Sequence, residues 1–125
     1  MTFRYARHTN QLQVLTQFYT DVFGLSILGS FEDHESYNGV FLGVKGENWH
    51  LEFTSSDEPC NHTFDDDDLI TFYPETRVEY EKIVQGIEAN NIEQITAKND
   101  YWNRNGIVVK DPDGFIVVLC NLKIK

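Results

Sequence analysis

The chain is poor in cationic side chains and has no long apolar run. It has 10 Lys and Arg residues against 20 Asp and Glu residues, which gives a formal net charge of -10 at pH 7. This charge argues against nucleic acid as a partner, because phosphates require a basic surface, and it argues equally against anionic membrane surfaces. No apolar run approaches the length of a membrane span. We therefore expect neither nucleic acid nor a membrane among the partners.

Cysteine is also scarce. Cys60 and Cys120 are too few for a disulfide framework and lack the spacing of a metal motif. The first seven residues contain no apolar segment of the kind that signal peptides carry, so we expect reduced thiols in a cytoplasmic protein. Gly-x-Ser-x-Gly, P-loop and Gly-x-Gly-x-x-Gly motifs are absent, which leaves esterase, NTPase and dinucleotide-binding functions without support.

One amphipathic helix is predicted between residues 10 and 24. Asn10 is a suitable N-cap, because its side-chain oxygen can accept from the amides of the first turn. Gly24 tolerates the left-handed conformation that often ends a helix. The apolar residues between these ends recur at helical spacing and are Leu12, Leu15, Phe18, Tyr19 and Val22.

Strand-like runs surround this helix, and the pattern then starts again. In the first half the predicted strands are residues 3–9, 25–31, 40–44 and 49–54. The second half is predicted to have a strand at 68–73, a helix at 74–90 and strands at 92–95, 106–110 and 115–122. The stripe predicted to be buried on that helix contains Val78, Ile83, Val84 and Ile87.

Each half is therefore a strand, a helix and three further strands. This order predicts an α+β fold, built as one domain from two βαβββ modules at residues 1–55 and 67–125. Residues 56–66 are the predicted linker. The acidic run Asp65–Asp68 lacks the alternating ligands and the Gly of an EF-hand loop, and we interpret it as a solvated loop.

Two segments resemble the vicinal oxygen chelate superfamily, which includes glyoxalase I, extradiol dioxygenases, fosfomycin-modifying enzymes and bleomycin resistance proteins. The run from Phe18 to Leu25, FYTDVFGL, is similar to the FY-x-D-x-L-G-L helix end of that superfamily. The run from Lys110 to Gly114, KDPDG, is similar to its DPDG ending. The resemblance implies curved mixed sheets around a cavity lined by both modules, a small-molecule ligand in that cavity, and a homodimer.

The resemblance also implies metal ligands in the first and last strand of each module. The corresponding positions are Arg4 and Glu52 in the first module, and Asp68 and Val118 in the second. A guanidinium and a valine do not bind metals, whereas the carboxylates of Glu52 and Asp68 suit Mg²⁺ or Mn²⁺. His8 shares a strand face with Arg4 and could replace it if the strand register differs. This set favours the absence of a cofactor and leaves a divalent metal open.

Alternation along residues 49–54 places His50 and Glu52 on one face of a strand, away from the helix. Glu52 is a candidate general base, and a structural ion pair with Arg4 fits the sequence equally well. His50 is a candidate catalytic residue, a metal ligand, or a histidine hydrogen-bonded within the sheet. Arg4 and Glu52 together are candidates for binding an anion and a hydrogen-bond donor of one ligand.

The stretch from Asn99 to Asn105 is predicted to be a polar loop at the rim of the cavity. It contains Tyr101, Trp102 and Arg104, which with Val118 are the candidate ligand contacts of the second module. Aromatic rings there could stack on a flat ligand. The alternative is that Trp102 covers the edge of the core or a dimer interface.

Two functions remain open. The first is a glyoxalase-like lyase or isomerase acting on an oxygen-rich substrate, with Glu52 as base or ligand and His50 and Asp68 assisting. The second is a protein that sequesters a drug or metabolite without a metal, as the resemblance to bleomycin resistance proteins implies. The carboxylate at position 52 favours the first. Val118, the acidic charge and the adjacent pair Tyr101 and Trp102 favour the second, particularly for a cationic aromatic ligand.

Overall fold

Each half of the chain forms its own sheet in the computed structural model, which covers residues 1–125 and has two units, Met1–His62 and Thr63–Lys125. The first unit contains β1 (Phe3–His8), α1 (Leu12–Asp21), β2 (Ser26–His34), β3 (Tyr37–Gly43) and β4 (Trp49–Ser55). The second contains β5 (Leu69–Phe72), α2 (Arg77–Ala89), α3 (Asp100–Asn105), β6 (Gly106–Lys110) and β7 (Ile116–Cys120). The predicted α+β fold class is confirmed.

The two sheets have related topologies. The strand order is β1-β4-β3-β2 in the first unit and β5-β7-β6 in the second. In both units the strand before the first helix pairs in parallel with the last strand, and the other pairings are antiparallel. The predicted repeat of element order is therefore only partly present, because the second unit has one strand fewer and an additional short helix.

The missing strand is the one predicted at residues 92–95, and that prediction is wrong. The segment follows α2 as irregular backbone, although the amide of Ile95 donates to the carbonyl of Val108 at 2.8 Å. One such hydrogen bond places the segment beside β6 without extending the sheet.

The predicted loop at residues 99–105 is also wrong, because most of it forms α3. The side chain of Asn99 caps this helix by accepting from the amide of Tyr101 at 3.1 Å. The side chain of Asn103 then bonds both backbone groups of Ala97, at 2.8 and 3.0 Å. Asparagine side chains therefore stabilise a helix of only six residues.

The longer helices begin later than predicted. The N-cap position of α1 is Gln11, without a side-chain cap, because the Asn10 side chain instead bonds the backbone of Cys60 at 2.8 and 2.9 Å. The N-cap of α2 is Thr76, whose side chain accepts from the amide of Glu79. The left-handed conformation predicted for Gly24 is confirmed, with φ +70°.

The hairpin between β2 and β3 turns at Glu35 and Ser36, between the paired residues His34 and Tyr37. Both turn residues have positive φ, 51° and 72°, which is the requirement of a type I′ turn. Asn38 and Gly39 follow this turn and belong to β3.

Each longer helix buries one face. α1 buries Leu15, Phe18 and Tyr19, and the ring of Tyr19 stacks on Phe53 of β4 at a centroid distance of 5.2 Å. α2 buries three residues, which are Tyr80, Ile83 and Ile87. Val78 was predicted to be buried there but is 68 % exposed. None of the three helices has the length and apolar character needed to cross a membrane.

We predict that Ser36→Gly stabilises the protein by about 1 kcal/mol, because a left-handed backbone is unfavourable for a residue with a Cβ. Urea denaturation measures the change. The matched control is Ser30→Gly in β2, where glycine should destabilise the strand by roughly 0.5–1 kcal/mol. Equal effects of the two substitutions would contradict the turn geometry.

Candidate functional site

The two faces of β4 differ in chemistry. Leu51 and Phe53 are buried on the side of α1, whereas His50 and Glu52 are partly exposed on the opposite side. We call this opposite side the helix-free face of the first sheet, and it also carries Arg4, His8, Phe31 and Phe41. His50 and Glu52 lie on one face, as the alternation of the strand predicts.

Arg4 lies at the centre of the polar contacts on this face. Its Nε donates to Nε2 of His50 at 2.9 Å, and its Nη1 lies 3.4 Å from Oε1 of Glu52. Its guanidinium carbon is 5.1 Å from the ring centroid of Phe41. The parallel register of β1 and β4 pairs Arg4 with His50 and Ala6 with Glu52, which explains how residues far apart in the sequence meet.

The contact between Arg4 and His50 defines the state of the imidazole. An arginine Nε–H can only donate, so Nε2 of His50 must be an unprotonated acceptor. The proton of the neutral ring then resides on Nδ1. His50 is therefore arranged to orient Arg4, and the same nitrogen cannot act as a metal ligand while this hydrogen bond exists.

The pair of Arg4 and Glu52 is not buried as a whole. The Arg4 side chain is 50 % exposed and that of Glu52 is 14 % exposed. An ion pair with one half-exposed partner contributes about 1 kcal/mol or less. The guanidinium nitrogen Nη2 makes no hydrogen bond, so Arg4 presents donors to a ligand.

His8 lies further along the same face. Its Nδ1 is 2.8 Å from the hydroxyl of Thr54, and its Nε2 is 3.0 Å from that of Ser56. Its ring meets the ring of Tyr37 edge-on at 5.6 Å. These contacts hold His8 in place and leave Arg4, not His8, beside Glu52.

The face also carries aromatic residues that the sequence interpretation did not select. Phe31 of β2 and Phe41 of β3 have ring centroids 5.8 Å apart, and Phe41 meets His50 edge-on at 5.7 Å. The signal that could have revealed the pair is cross-strand pairing, which requires knowledge of the register.

Val118 of β7 occupies a different environment. It is completely buried in an apolar cluster with Ala97, Val108, Ile116 and Cys120. Leu69, Ile95 and Trp102 pack against the same cluster. Val118 therefore packs in a core within the second unit, and its role as a ligand contact stays a prediction.

The other candidates of the second unit lie on α3. Trp102 packs against the apolar cluster, in agreement with the alternative that it covers a core, while Tyr101 is 41 % exposed and meets Trp102 edge-on. Arg104 pairs with Asp100 at 2.7 Å. All three residues therefore make local contacts, and Tyr101 presents the more exposed aromatic ring of the two.

Asp68 precedes β5 and lies in an exposed turn, not in the strand as predicted. Its Oδ2 accepts from the amide of Asp65 at 3.1 Å, and the amide of Asp67 donates to Oδ1 of Asp65. These carboxylates accept hydrogen bonds from backbone amides of the same turn and so stabilise it. The interpretation of the acidic run as an exposed loop is thus confirmed.

The second unit also has an open cleft of about 290 Å³. Its lining consists of Asp66, Ile95, Thr96, Lys98, Lys110 and Ile116. None of the predicted site residues belongs to this cleft.

Comparison with known proteins agrees with the fold. Residues 3–54 match the model of the YycE-like N-terminal domain, and residues 67–121 match that of the YycE-like C-terminal domain. The uncharacterized protein YycE of Bacillus subtilis (strain 168) is 34% identical over 124 residues, which cover 96% of this chain and 87% of the relative.

Solved structures extend the comparison. A crystal structure of a YycE protein of unknown function from Bacillus subtilis has a TM-score of 0.81 and 32% identity, over 96% of this chain and 88% of that one. The glyoxalase I of Leishmania major has a TM-score of 0.74 and 21% identity, over 98% and 87% of the two chains. By fold the protein is a member of the vicinal oxygen chelate superfamily, as predicted. Within it, the chain belongs to the YycE-like family.

Divalent metals occur in this fold. A variant of the FosX fosfomycin resistance protein from Listeria monocytogenes, complexed with Mn(II) and 1S,2S-dihydroxypropylphosphonic acid, has a TM-score of 0.66 and 17% identity, over 94% of this chain and 88% of that one. The donors of the present chain do not fit such an ion. Arg4 lies beside the carboxylate of Glu52, and no three His, Cys, Asp or Glu side chains are grouped as ligands.

We predict that Val118→Glu, which restores the carboxylate implied at this position by the superfamily, destabilises the protein by about 3 kcal/mol or more, because it buries a polar group in an apolar cluster. The free energy of unfolding in urea measures this cost. The matched control is Val78→Glu on the exposed face of α2, which should change the free energy of unfolding by less than about 0.5 kcal/mol. A stable Val118→Glu protein that gains Mn²⁺ affinity would contradict the assignment of this position to the core.

Proposed function

We propose that the protein binds a small organic molecule on the helix-free face of the first sheet, without a metal ion. The observation that carries this proposal is the position of Arg4. Its guanidinium is oriented by His50, lies over Phe41, adjoins Glu52 and is still half exposed. An arginine held in this way is a preformed donor for a ligand's oxygen atoms.

The guanidinium takes over one role of a metal ion. A divalent cation attracts two oxygens of a substrate, and the planar edge of an arginine can bind two oxygens through two parallel N–H donors. Glu52 adjoins this donor as an acceptor. The face therefore offers a donor and an acceptor to one ligand, which supports the proposal of binding without a metal ion.

A second candidate is proton transfer in a lyase- or isomerase-type reaction. The favouring observation is that the Glu52 side chain, only 14 % exposed, lies next to the exposed cation of Arg4. In such a reaction Glu52 would take a proton from carbon while Arg4 stabilises the resulting enolate oxygen. The ion pair with Arg4, however, serves simple binding equally well, and sequestration is our first choice. The homodimer expected from the superfamily remains a prediction.

The test is protein-observed NMR with a mixed library of anionic, neutral and cationic fragments, after dialysis against EDTA. We predict that some fragments bind the metal-free protein and perturb signals of β1 and β4. Arg4→Gln should weaken these fragments at least about tenfold, the loss typical of a charge-assisted hydrogen bond.

Arg77→Gln is the matched control, because Arg77 also adjoins a carboxylate, Glu81, and an aromatic ring, Tyr80. It should leave fragment binding unchanged. Binding that disappears with EDTA and returns with one equivalent of metal would contradict the proposal. Turnover of a bound compound that Glu52→Gln abolishes without loss of binding would instead establish the second candidate.

A further inference from the structure

The helix-free face has an aromatic half and a polar half. Phe31 and Phe41 lie on β2 and β3, whereas Arg4, Glu52 and His50 lie on β1 and β4. The strand order β1-β4-β3-β2 places these halves side by side. Arg4 joins them, because its guanidinium contacts both the Phe41 ring and Glu52.

The aromatic half is accommodated by the backbone. A Cβ at Gly39 would collide with the ring of Phe31, so the absence of a side chain there lets the ring lie across β3. The pairing of β2 with β3 shifts register on both sides of Phe31, between Ile27 and Gly29 and again after Phe31. Such bulges bend and twist an edge strand, and the bends occur on either side of this ring.

The aromatic half is not fully buried. Phe31 and Phe41 are partly exposed, in contrast with Leu42 and Phe53, which are completely buried on the opposite face. Two neighbouring rings with exposed area can stack on a flat ligand. The aromatic half therefore favours a ligand with a planar ring, bound next to the polar half.

The polar half determines which functional groups the planar ligand should carry at its end next to Arg4 and Glu52. Arg4 supplies N–H donors with one terminal nitrogen unused, which suits a carboxylate. Glu52 is an acceptor at 3.4 Å from Arg4, so it suits a hydroxyl or amino group adjacent to that carboxylate. A ligand with both groups keeps Glu52 hydrogen-bonded while it binds Arg4.

Resting on the proposed function, we propose that the ligand is a planar aromatic acid with a hydrogen-bond donor next to its carboxylate, as in 2-hydroxy- or 2-aminobenzoates. Its ring lies against Phe31 and Phe41. Its carboxylate binds Arg4, and its donor binds Glu52. This assignment differs from the cationic aromatic ligand that the sequence favoured, because Arg4 supplies a positive charge on this face.

The experiment is isothermal titration calorimetry of the full chain, in EDTA, with 2-aminobenzoate as the probe. Three comparison compounds each lack at least one group of the probe. Benzoate lacks the hydrogen-bond donor, cyclohexanecarboxylate lacks the donor and the flat ring, and aniline lacks the carboxylate. We expect 2-aminobenzoate to bind about tenfold more tightly than benzoate, and benzoate about fivefold more tightly than cyclohexanecarboxylate, in line with one charge-assisted hydrogen bond and one stacking contact. Aniline should show no binding.

Substitutions test which side chain of the protein binds which group of the ligand. Arg4→Gln should weaken both aromatic acids at least about tenfold, and Arg77→Gln should leave them unchanged. Glu52→Gln should reduce the preference for 2-aminobenzoate over benzoate by about tenfold while benzoate itself still binds. Phe31→Leu and Phe41→Leu should each reduce the preference for benzoate over cyclohexanecarboxylate.

Three results would overturn the ligand class: equal affinity for benzoate and cyclohexanecarboxylate, tighter binding of aniline than of the acids, or an Arg4→Gln protein with unchanged affinity for 2-aminobenzoate. If the mixed fragment library still yields ligands that depend on Arg4, the proposed function survives and only the ligand class fails. If neither the acids nor any fragment binds the metal-free protein, both proposals fail.

Discussion

The stacking of Tyr19 on Phe53 is the contact on which the rest of the first unit depends. It joins α1 to the strand β4, with ring planes 24° apart and both rings completely buried. Because side chains alternate along a strand, burial of Phe53 turns Glu52 to the other face. A shift of one residue would place the carboxylate in the core and the phenylalanine in solvent, so the apolar core fixes the position of the polar site.

The two units use the same topology for different purposes. In the first, the final strand presents His50 and Glu52 on its helix-free face, where Arg4 meets both. In the second, all five residues of β7 are buried, and its equivalent position, Val118, is enclosed by apolar residues. The related frameworks therefore carry polar side chains on the final strand of one sheet and core residues on the final strand of the other.

Much of this arrangement could be predicted from the sequence because it depends on local patterns. The period-two pattern of residues 49–54 places His50 and Glu52 on one face, and the runs ending at Leu25 and Gly114 identify the superfamily. The hydrogen bond between Arg4 and His50 could not be predicted, since it requires the parallel register of strands 46 residues apart. The sequence also did not predict two short elements, because each depends on features outside the local pattern. Helix α3 depends on the hydrogen bonds of Asn103 to Ala97. The hairpin turn uses residues that rarely adopt positive φ.

In the proposed site an arginine, oriented by a neutral histidine, provides the positive charge. The most direct measurement is a long-range ¹H–¹⁵N NMR spectrum of the histidine side chains at neutral pH. It should show His50 as a neutral ring protonated on Nδ1, with Nε2 as an unprotonated acceptor, and this pattern should not change when one equivalent of Mg²⁺ or Zn²⁺ is added. A His50 ring protonated on Nε2, or an Nε2 resonance that shifts with stoichiometric metal, would contradict the account.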